Sequence, residues 1–360
     1  MFKERIRVGI LMGGPSAERE VSLASGCNLV ELLDRTRYEV HPIEIGRDRK
    51  WYLHHIDSPL LTQAGRIGRE IEADQPYTPP SAADSELVTA RVVKGRMDVL
   101  FLALHGPGGE DGTIQGFLET LEVPYVGSGV LASSLTMDKS RCKLFLRASQ
   151  LPTADWVSVS QAEWDGRAGE ICGQILDQFP AGCVIKPNNQ GSSVGMSVLE
   201  GGEHPESAMD QAFGHSQEVL IEKRIQGREF TCGVFGRENP EALPVTEIRV
   251  AGGFFDYEAK YQPGGAEEIT PADISESLAR EIQSLAVRAH KTFGCSAITR
   301  TDFMMDGDQP VILEINTIPG MTRMSLIPRA CAAAGIEFES ILDRLIGETL
   351  FKEQIATVVT

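Results

Sequence analysis

Apolar residues recur along this chain with two different periods. Between positions 297 and 320 (AITRTDFMMDGDQPVILEINTIPG) they alternate, which predicts a β-hairpin. Its first arm ends in Phe303-Met304-Met305, an Asp-Gly-Asp turn occupies 306–308, and the return arm covers 311–316. Strand side chains alternate between faces, so Arg300 and Asp302 share one face of the first arm, and Glu314 and Asn316 share one face of the second. Thr301, Phe303 and Met305 fall on the other face, matched by Val311, Leu313 and Ile315, while Ile298, Met304 and Ile312 lie on the polar side. Helical spacing (Leu278, Ile282, Leu285, Ala286, Ala289) predicts an amphipathic helix over 275–293, and 328–334 and 338–347 read as terminal helices.

Elsewhere strands and helices interleave. Residues 6–12 (IRVGILM) form a buried strand that runs into Gly13-Gly14-Pro15-Ser16, with Ser16 as N-cap of the next helix. A second strand spans 40–45. The apolar run at 97–104 reads as a buried parallel strand, ending in His105-Gly106-Pro107-Gly108-Gly109-Glu110-Asp111-Gly112 before a helix from Thr113. Residues 46–95 hold a short Trp51-Tyr52 strand and a Pro-rich stretch expected to be surface loop. After Gly127 one helix carries Met137-Asp138-Lys139-Ser140 and continues through Leu146. Strands at 156–157, 183–187 and 197–199 follow, with a Gly/Ser loop at 188–196. The strand at 219–222 ends on Glu222, another begins at Gly227, and 254–265 leads into a polar loop with Gly hinges, a natural lid.

Length and composition narrow the picture. At 360 residues the chain exceeds the usual single core, so two or three packed subdomains are expected. A formal charge of −17 argues against a nucleic-acid partner, because phosphate contacts need clustered Lys and Arg. An anionic small substrate is compatible with that charge if cations gather in one cleft. The seven cysteines show no metal-ligand spacing and read as reduced packing residues of a cytosolic protein. No signal-peptide pattern and no apolar run approaching ~20 residues is present, so no membrane partner and a cytoplasmic location are expected. Neither GxGxxG nor GxxxxGK[ST] occurs at the first Gly-rich turn, which excludes the dinucleotide-fingerprint and P-loop readings there.

Several residues carry chemistry. Asp302, Glu314 and Asn316 form an all-oxygen set of the kind Mg²⁺ uses when it holds a nucleotide's phosphates, with Arg300 as an adjacent cationic stabiliser; a solvated hairpin face with an ion pair is the alternative. The Gly/Ser loop after Lys186 offers N–H groups and hydroxyls that can cradle phosphate, or it is a plain mobile hairpin. Glu18 in a first helical turn is ordinarily a dipole-favoured surface residue. His105 ends a strand where open α/β sheets place ligands, and a capping or core histidine is the alternative.

The segments GGPSAEREVSLASG, ALHGPGGEDGTIQG, GSGVLASSLTMDK, VIKPNNQGSSVGM, IEKRIQGREFT, DYEAKYQPG, TRTDF and LEINTIPGMTRMSLIP occur in an order that resembles the D-alanine–D-alanine ligases, from about residue 6 to 345. The resemblance implies an α/β (α+β) chain with a three-subdomain ATP-grasp fold: an N-terminal parallel-sheet α/β domain (1–126), a central subdomain (127–225) and a C-terminal catalytic subdomain (226–360). It implies that Glu18 holds the ammonium of the first D-alanine and that His105 lies near its carboxylate. By the same resemblance Lys139 and Lys186 contact ATP phosphates, Ser192 and Ser193 cover them, and Glu222 with the Lys223-Arg224-Ile225 backbone meets adenine. Glu229 meets the ribose, Lys260 reaches the transferred phosphate, and Tyr261 bonds toward Glu18 and Ser192. Arg300 and the Gly320 N–H form the oxyanion stabiliser, and Ser325-Leu326 receive the second substrate's carboxylate. Asp302, Glu314 and Asn316 bind two Mg²⁺ (or Mn²⁺), and the assembly is a homodimer. Gln190, Arg224, Thr299 and Thr301 depart from the family's usual residues. Lys260-Tyr261 favours an amine over a lactate nucleophile, and D-serine is harder to exclude than D-lactate as second substrate.

Overall fold

The computed structural model describes residues 5–64, 80–191, 194–250 and 266–359. Three sheets organise them. In the first, Ile6–Gly13 lies between Tyr38–Ile45 and Val99–Leu102, all parallel, with Tyr125–Val126 parallel at one edge. The whole Val99–Leu102 strand is buried, as its unbroken apolar run requires when both faces of a parallel sheet are covered. The other edge is antiparallel: Trp51–His54 pairs with Tyr38–Ile45, and Ser85–Val88 pairs with Trp51–His54. The expected parallel strands form the centre of this sheet, and the antiparallel edge makes it mixed. The expected strand at Trp51-Tyr52 is Trp51–His54, and beside it stand strand Ser85–Val88 and the helices Pro59–Ala64 and Ala90–Arg96, while positions 75–79 of the Pro-rich stretch lie outside the described residues. Their short length left too few residues for a period to show.

The second sheet is antiparallel, in the order Trp156–Ser160, Glu218–Lys223, Gly182–Pro187, Ser197–Glu200. Helices Gln161–Gln178 and Glu206–Phe213 close it over a core of Trp164, Ile171, Met209 and Ile221. A capping box between Ser160 and Glu163 starts the first of these helices. The helix expected through 137–146 is two helices, Val130–Met137 and Lys139–Ala148, because Asp138 is extended and its side chain caps the second by accepting from Arg141 N–H. Ser16 is not a cap either. Helix Arg19–Leu32 starts after Glu18, and the Ser16 hydroxyl donates to the His105 carbonyl at 2.8 Å.

The third sheet, also antiparallel, runs Ala266–Ile269, Thr246–Val250, Glu229–Phe235, Ile298–Asp306, Gln309–Asn316. The last two strands are the expected hairpin, closed by a two-residue turn with Gly307 at φ 62, the positive φ that tight hairpin turns need. Its register departs from simple alternation. Arg300 faces Asn316 and Asp302 faces Glu314, but a bulge then makes Phe303 face Ile312 and Met304 face Val311. Ile312, expected on the polar side, is therefore fully buried beside Phe303 and Ile315, while Val311 and Leu313 are not members of that core cluster. Ile298 packs into the N-terminal core. Helix Glu276–Thr292, capped by Ser275, lays Ile282, Leu285, Ala286 and Ala289 on the sheet as its spacing predicts. Helices Leu326–Ala333 and Phe338–Val359 return to the N-terminal core through Ile327, Ile341 and Leu345.

His290 on that helix is wholly buried, with Nδ1 2.7 Å from Thr299 Oγ1 and Nε2 3.0 Å from the Gly236 carbonyl. Thr299, one of the departures from the family pattern, thus serves this histidine. Burial drives the imidazole down from 6.5 to about 4. The folded value lies below the unfolded one, so the stability this neutral ring contributes is present above about pH 6.5 and is lost as pH falls toward 4, up to about 3 kcal/mol. His290→Gln is expected to flatten the decline of unfolding free energy between those pH values in urea titrations. An unchanged slope would contradict a buried neutral imidazole.

Candidate active site

The three sheets meet around one cleft. Gly13 and Gly14, at φ 88 and 94, turn the chain off the first strand. A Cβ on Gly13 would stand 2.7 Å from the Ile45 carbonyl oxygen, so glycine is needed on both counts. Arg19 braces the turn from inside the core, donating to the Gly14 carbonyl at 3.1 Å and the Ile45 carbonyl at 2.8 Å and pairing with Glu44. Glu44 in turn meets His54 Nε2 at 2.6 Å. With Arg19 anchored inward, Glu18 before it faces the cleft. A Cβ on either Gly106 or Gly191 would lie 2.6 Å from Glu18 Oε2, so this carboxylate is pressed between the Gly-rich turn of the first sheet and the Gly/Ser loop of the second.

The Gly-rich turn supplies a carboxylate the motif reading passed over. Glu110 accepts from Gly106 N–H at 2.8 Å and from Ile318 N–H at 3.3 Å. It ties the first sheet to the segment that follows the hairpin. Burial, then the charge of Glu18, push its carboxyl well above the usual carboxylate range, against the two backbone N–H groups and Arg300. His105 is buried, shares a backbone hydrogen bond with Ile318 and lies 3.3 Å from the Ser25 hydroxyl, which accepts from Met321 N–H. Burial and Arg300 hold its imidazole down near 4, hence neutral.

The hairpin delivers the other side. Arg300 clamps Asp302 with Nε at 2.8 Å and Nη2 at 2.7 Å; Thr231 Oγ1 and Asn316 Nδ2 also donate to this carboxylate, at 2.7 and 3.0 Å. Burial opposes the guanidinium charge, but Asp302, Glu314 and Glu110 outweigh it and hold Arg300 charged. Asp302 and Glu314 face each other on one rung and Asn316, opposite Arg300, stands two rungs away. Two carboxylates and an amide oxygen make a hard-oxygen set that fits a divalent cation such as Mg²⁺. Among the described residues no group of three or more His, Cys, Asp or Glu stands in a metal-binding cluster.

Cations come from the second sheet and the helix beside it. Lys139 donates to the Gln190 carbonyl at 2.5 Å and feels Glu314, Lys186 and Glu18; burial lowers its ammonium from the usual lysine value. Asn188 fastens this helix start to the Gly/Ser loop, accepting from Ser140 N–H at 2.8 Å and donating to Asp138 at 2.9 Å. Lys186 and Lys143 both reach Glu222, at 2.5 and 2.7 Å. Lys143 was not singled out from the sequence, although it lies one helical turn after Lys139. Lys223 pairs with Asp306 at 2.6 Å, Arg224 pairs with Glu200, and Ile225 and Glu229 are half-buried nearby. Gly320 sits against Ser325, whose hydroxyl accepts from Thr322 N–H at 3.0 Å rather than capping the helix that begins at Leu326. Ser192, Ser193, Lys260 and Tyr261 lie outside the described residues.

Comparison with known proteins matches the chain to one family. The family described as D-ala D-ala ligase N-terminus matches residues 7–128, and that described as D-ala D-ala ligase C-terminus matches 145–347. A D-alanine--D-alanine ligase of Pelotomaculum thermopropionicum is 38% identical, over 95% of this chain and 96% of its own. The solved VanG D-Ala:D-Ser ligase of Enterococcus faecalis is 30% identical with a TM-score of 0.83, covering 96% of this chain and all of its own (100%). The D-alanine-D-alanine ligase structure from Coxiella burnetii is 28% identical with a TM-score of 0.80, covering 99% and 98%.

Gly191 adopts no backbone conformation that needs glycine, and its missing Cβ makes room for the far end of Glu18. Gly191→Ala is therefore expected to leave thermal unfolding within about 1 kcal/mol of the parent while weakening D-alanine binding roughly tenfold in calorimetry. Unchanged affinity would count against Glu18 meeting the substrate amine.

Proposed function

We infer, since this chain belongs to the D-alanine–D-alanine ligase family and has its ATP-grasp fold, that the cleft joins two D-alanines at the expense of ATP. The observation that carries the reading is the convergence in one cleft of the Glu18–Glu110 pair with Arg300, Lys139 and Lys186. One side suits an ammonium, and the other suits phosphates and developing negative charge.

In this reading Glu18 holds the first D-alanine's ammonium and the neutral His105 lies beside its carboxylate. That carboxylate attacks the γ-phosphorus of ATP; the bond to the ADP oxygen breaks and an acyl phosphate forms. Lys139 and Lys186 neutralise phosphate oxygens, which is most of what phosphoryl transfer needs. Glu222 and the 223–225 backbone receive the adenine, and Glu229 the ribose. Asp302, Glu314 and Asn316 would hold two Mg²⁺ (or Mn²⁺), which when bound neutralise phosphate charge. The amine of the second D-alanine, seated by its carboxylate at Ser325-Leu326, then attacks the acyl carbon. Arg300, steered by Asp302, and the Gly320 N–H meet the oxyanion, which collapses and expels phosphate. Ser192, Ser193, Lys260 and Tyr261 keep the roles that the family resemblance implies, over the phosphates and beside Glu18.

Joining D-alanine to D-serine is the second reading, prompted by the Enterococcus faecalis structure; the higher identity to D-alanine--D-alanine ligases favours D-alanine as acceptor. The enzyme is read as cytoplasmic and homodimeric. Its seven cysteines, all free and buried, support a reducing compartment.

Phosphate release from ATP with D-alanine, L-alanine or D-serine as sole amino acid tests the reading. Release with D-alanine alone is expected. No D-amino-acid-dependent release, from folded protein shown to bind ATP, would overturn it, and a need for D-serine together with D-alanine would promote the second reading. Arg300→Met is expected to cut dipeptide formation by about 10²- to 10³-fold with a far smaller loss of ATP affinity. Equal losses in both would contradict the oxyanion role. Asp302→Asn is expected to raise the Mg²⁺ concentration needed for half-maximal activity, and an unchanged titration would argue against metal ligation.

A further inference from the structure

Glu222 is almost fully buried, yet each of its oxygens faces a different ammonium: Oε2 meets Lys143 Nζ at 2.7 Å, and Oε1 meets Lys186 Nζ at 2.5 Å. Burial opposes its ionisation, but the two lysines outweigh burial and hold the carboxyl near 2. One carboxylate thus shares two cations, so the cluster carries a surplus positive charge.

The two lysines are held very differently. Lys143 projects from helix Lys139–Ala148 with 1% of its side chain exposed. Besides meeting Glu222, it donates to Thr153 Oγ1 at 2.9 Å, and Thr153 donates on to the Ile312 carbonyl at 3.0 Å. The Trp156 ring lies 5.8 Å from its ammonium. Lys143 is therefore locked between the second sheet and the catalytic hairpin, and burial and the neighbouring Lys186 together depress its ammonium. Lys186 stands at the end of strand Gly182–Pro187, where the Gly/Ser loop begins. Burial opposes its charge, but Glu222 and Glu314 raise its ammonium above the usual lysine value.

We propose that Lys143 is the fixed counter-cation of Glu222 and a positioning residue for purine recognition, while Lys186 is its exchangeable partner. When nucleotide enters, Lys186 leaves Oε1 for the phosphates, and the 6-amino group of the purine donates to the vacated oxygen. Lys143 stays and keeps the buried carboxylate charged. An ionised carboxylate accepts from a 6-amino group and repels a 6-oxo group. Were Lys143 absent, departure of Lys186 would leave a buried charge without a cation, a costly state that favours protonation. A protonated carboxyl could then donate to a 6-oxo group, and the discrimination would collapse.

The inference rests on the nucleotide reading above, and its test separates the two. Steady-state kinetics with ATP and with inosine triphosphate, which differ at the purine 6-position, are measured for the parent, Lys143→Met, Lys143→Arg and Glu222→Gln. Lys143→Met is expected to raise KM for ATP and lower the ATP preference each by about tenfold, with kcat changed by less than about threefold, and Lys143→Arg to restore much of both. Thr153→Val, which removes the anchor but not the charge, is expected to give a smaller loss in the same direction, and it serves as the test if Lys143→Met does not fold. Lost ATP preference in Glu222→Gln but an unchanged preference in Lys143→Met overturns the role of Lys143. An unchanged preference in Glu222→Gln overturns the base-recognition reading itself. A fall in kcat with the ATP preference intact in Lys143→Met, or in Thr153→Val where that variant stands in, marks a purely structural residue and also overturns the proposal.

Discussion

The Asp302 carboxylate, gripped by two bonds from Arg300 and one each from Thr231 and Asn316, is the interaction on which the rest of the cleft depends. Arg300 lies two residues earlier on the same face of the same strand, so the clamp needs no distant partner and sets the strand's polar side directly. The bonds from Thr231 and Asn316 extend it to both neighbouring strands. A bulge immediately after Asp302 shifts the register by one residue. As a result Glu314 stays opposite Asp302 while Phe303 and Ile312 both turn into the core. One extra residue lets the same two strands be polar at the cleft and apolar beneath the helix, a use to which bulges near active sites are suited.

Charge is the second constraint. The chain as a whole is acidic, at −17, yet Lys139, Lys143, Lys186 and Arg300 gather where the three sheets meet. Each is partly or wholly withdrawn from water: Lys143 and Lys186 pair with Glu222, Arg300 pairs with Asp302, and Lys139 donates to the Gln190 carbonyl while feeling the charge of Glu314. Buried charges of this kind are costly unless paired. The pairing therefore explains how these cations are tolerated where they are withdrawn from water. Glu18 and Glu110 lie close enough to feel each other's charge, and Glu110 responds by holding its proton more tightly.

Much of this was legible in one dimension. Hairpin, helix 276–292 and the buried strand at 99–102 announce themselves because a period of two, a period of 3.6 or an unbroken apolar run follows from which faces are covered, and that is a local property of the chain. Ser16 looked like a cap because its residue type suits one; its hydroxyl instead serves the His105 carbonyl on another strand. The break at Asp138 was similarly hidden in a run with good helical spacing.

The residues alone determined the hairpin, the Gly-rich turns and the face shared by Arg300 and Asp302, because these depend on backbone sterics and on neighbours a few positions apart. Tertiary structure alone decided that Glu18 lies against both Gly106 and Gly191, that Glu110 bridges to Ile318, and that Lys143 shares Glu222 with Lys186. Those contacts join residues from 36 to 208 positions apart. Their energetics turn on burial and on the proximity of charges, neither of which is a property of any segment until the sheets have packed against one another.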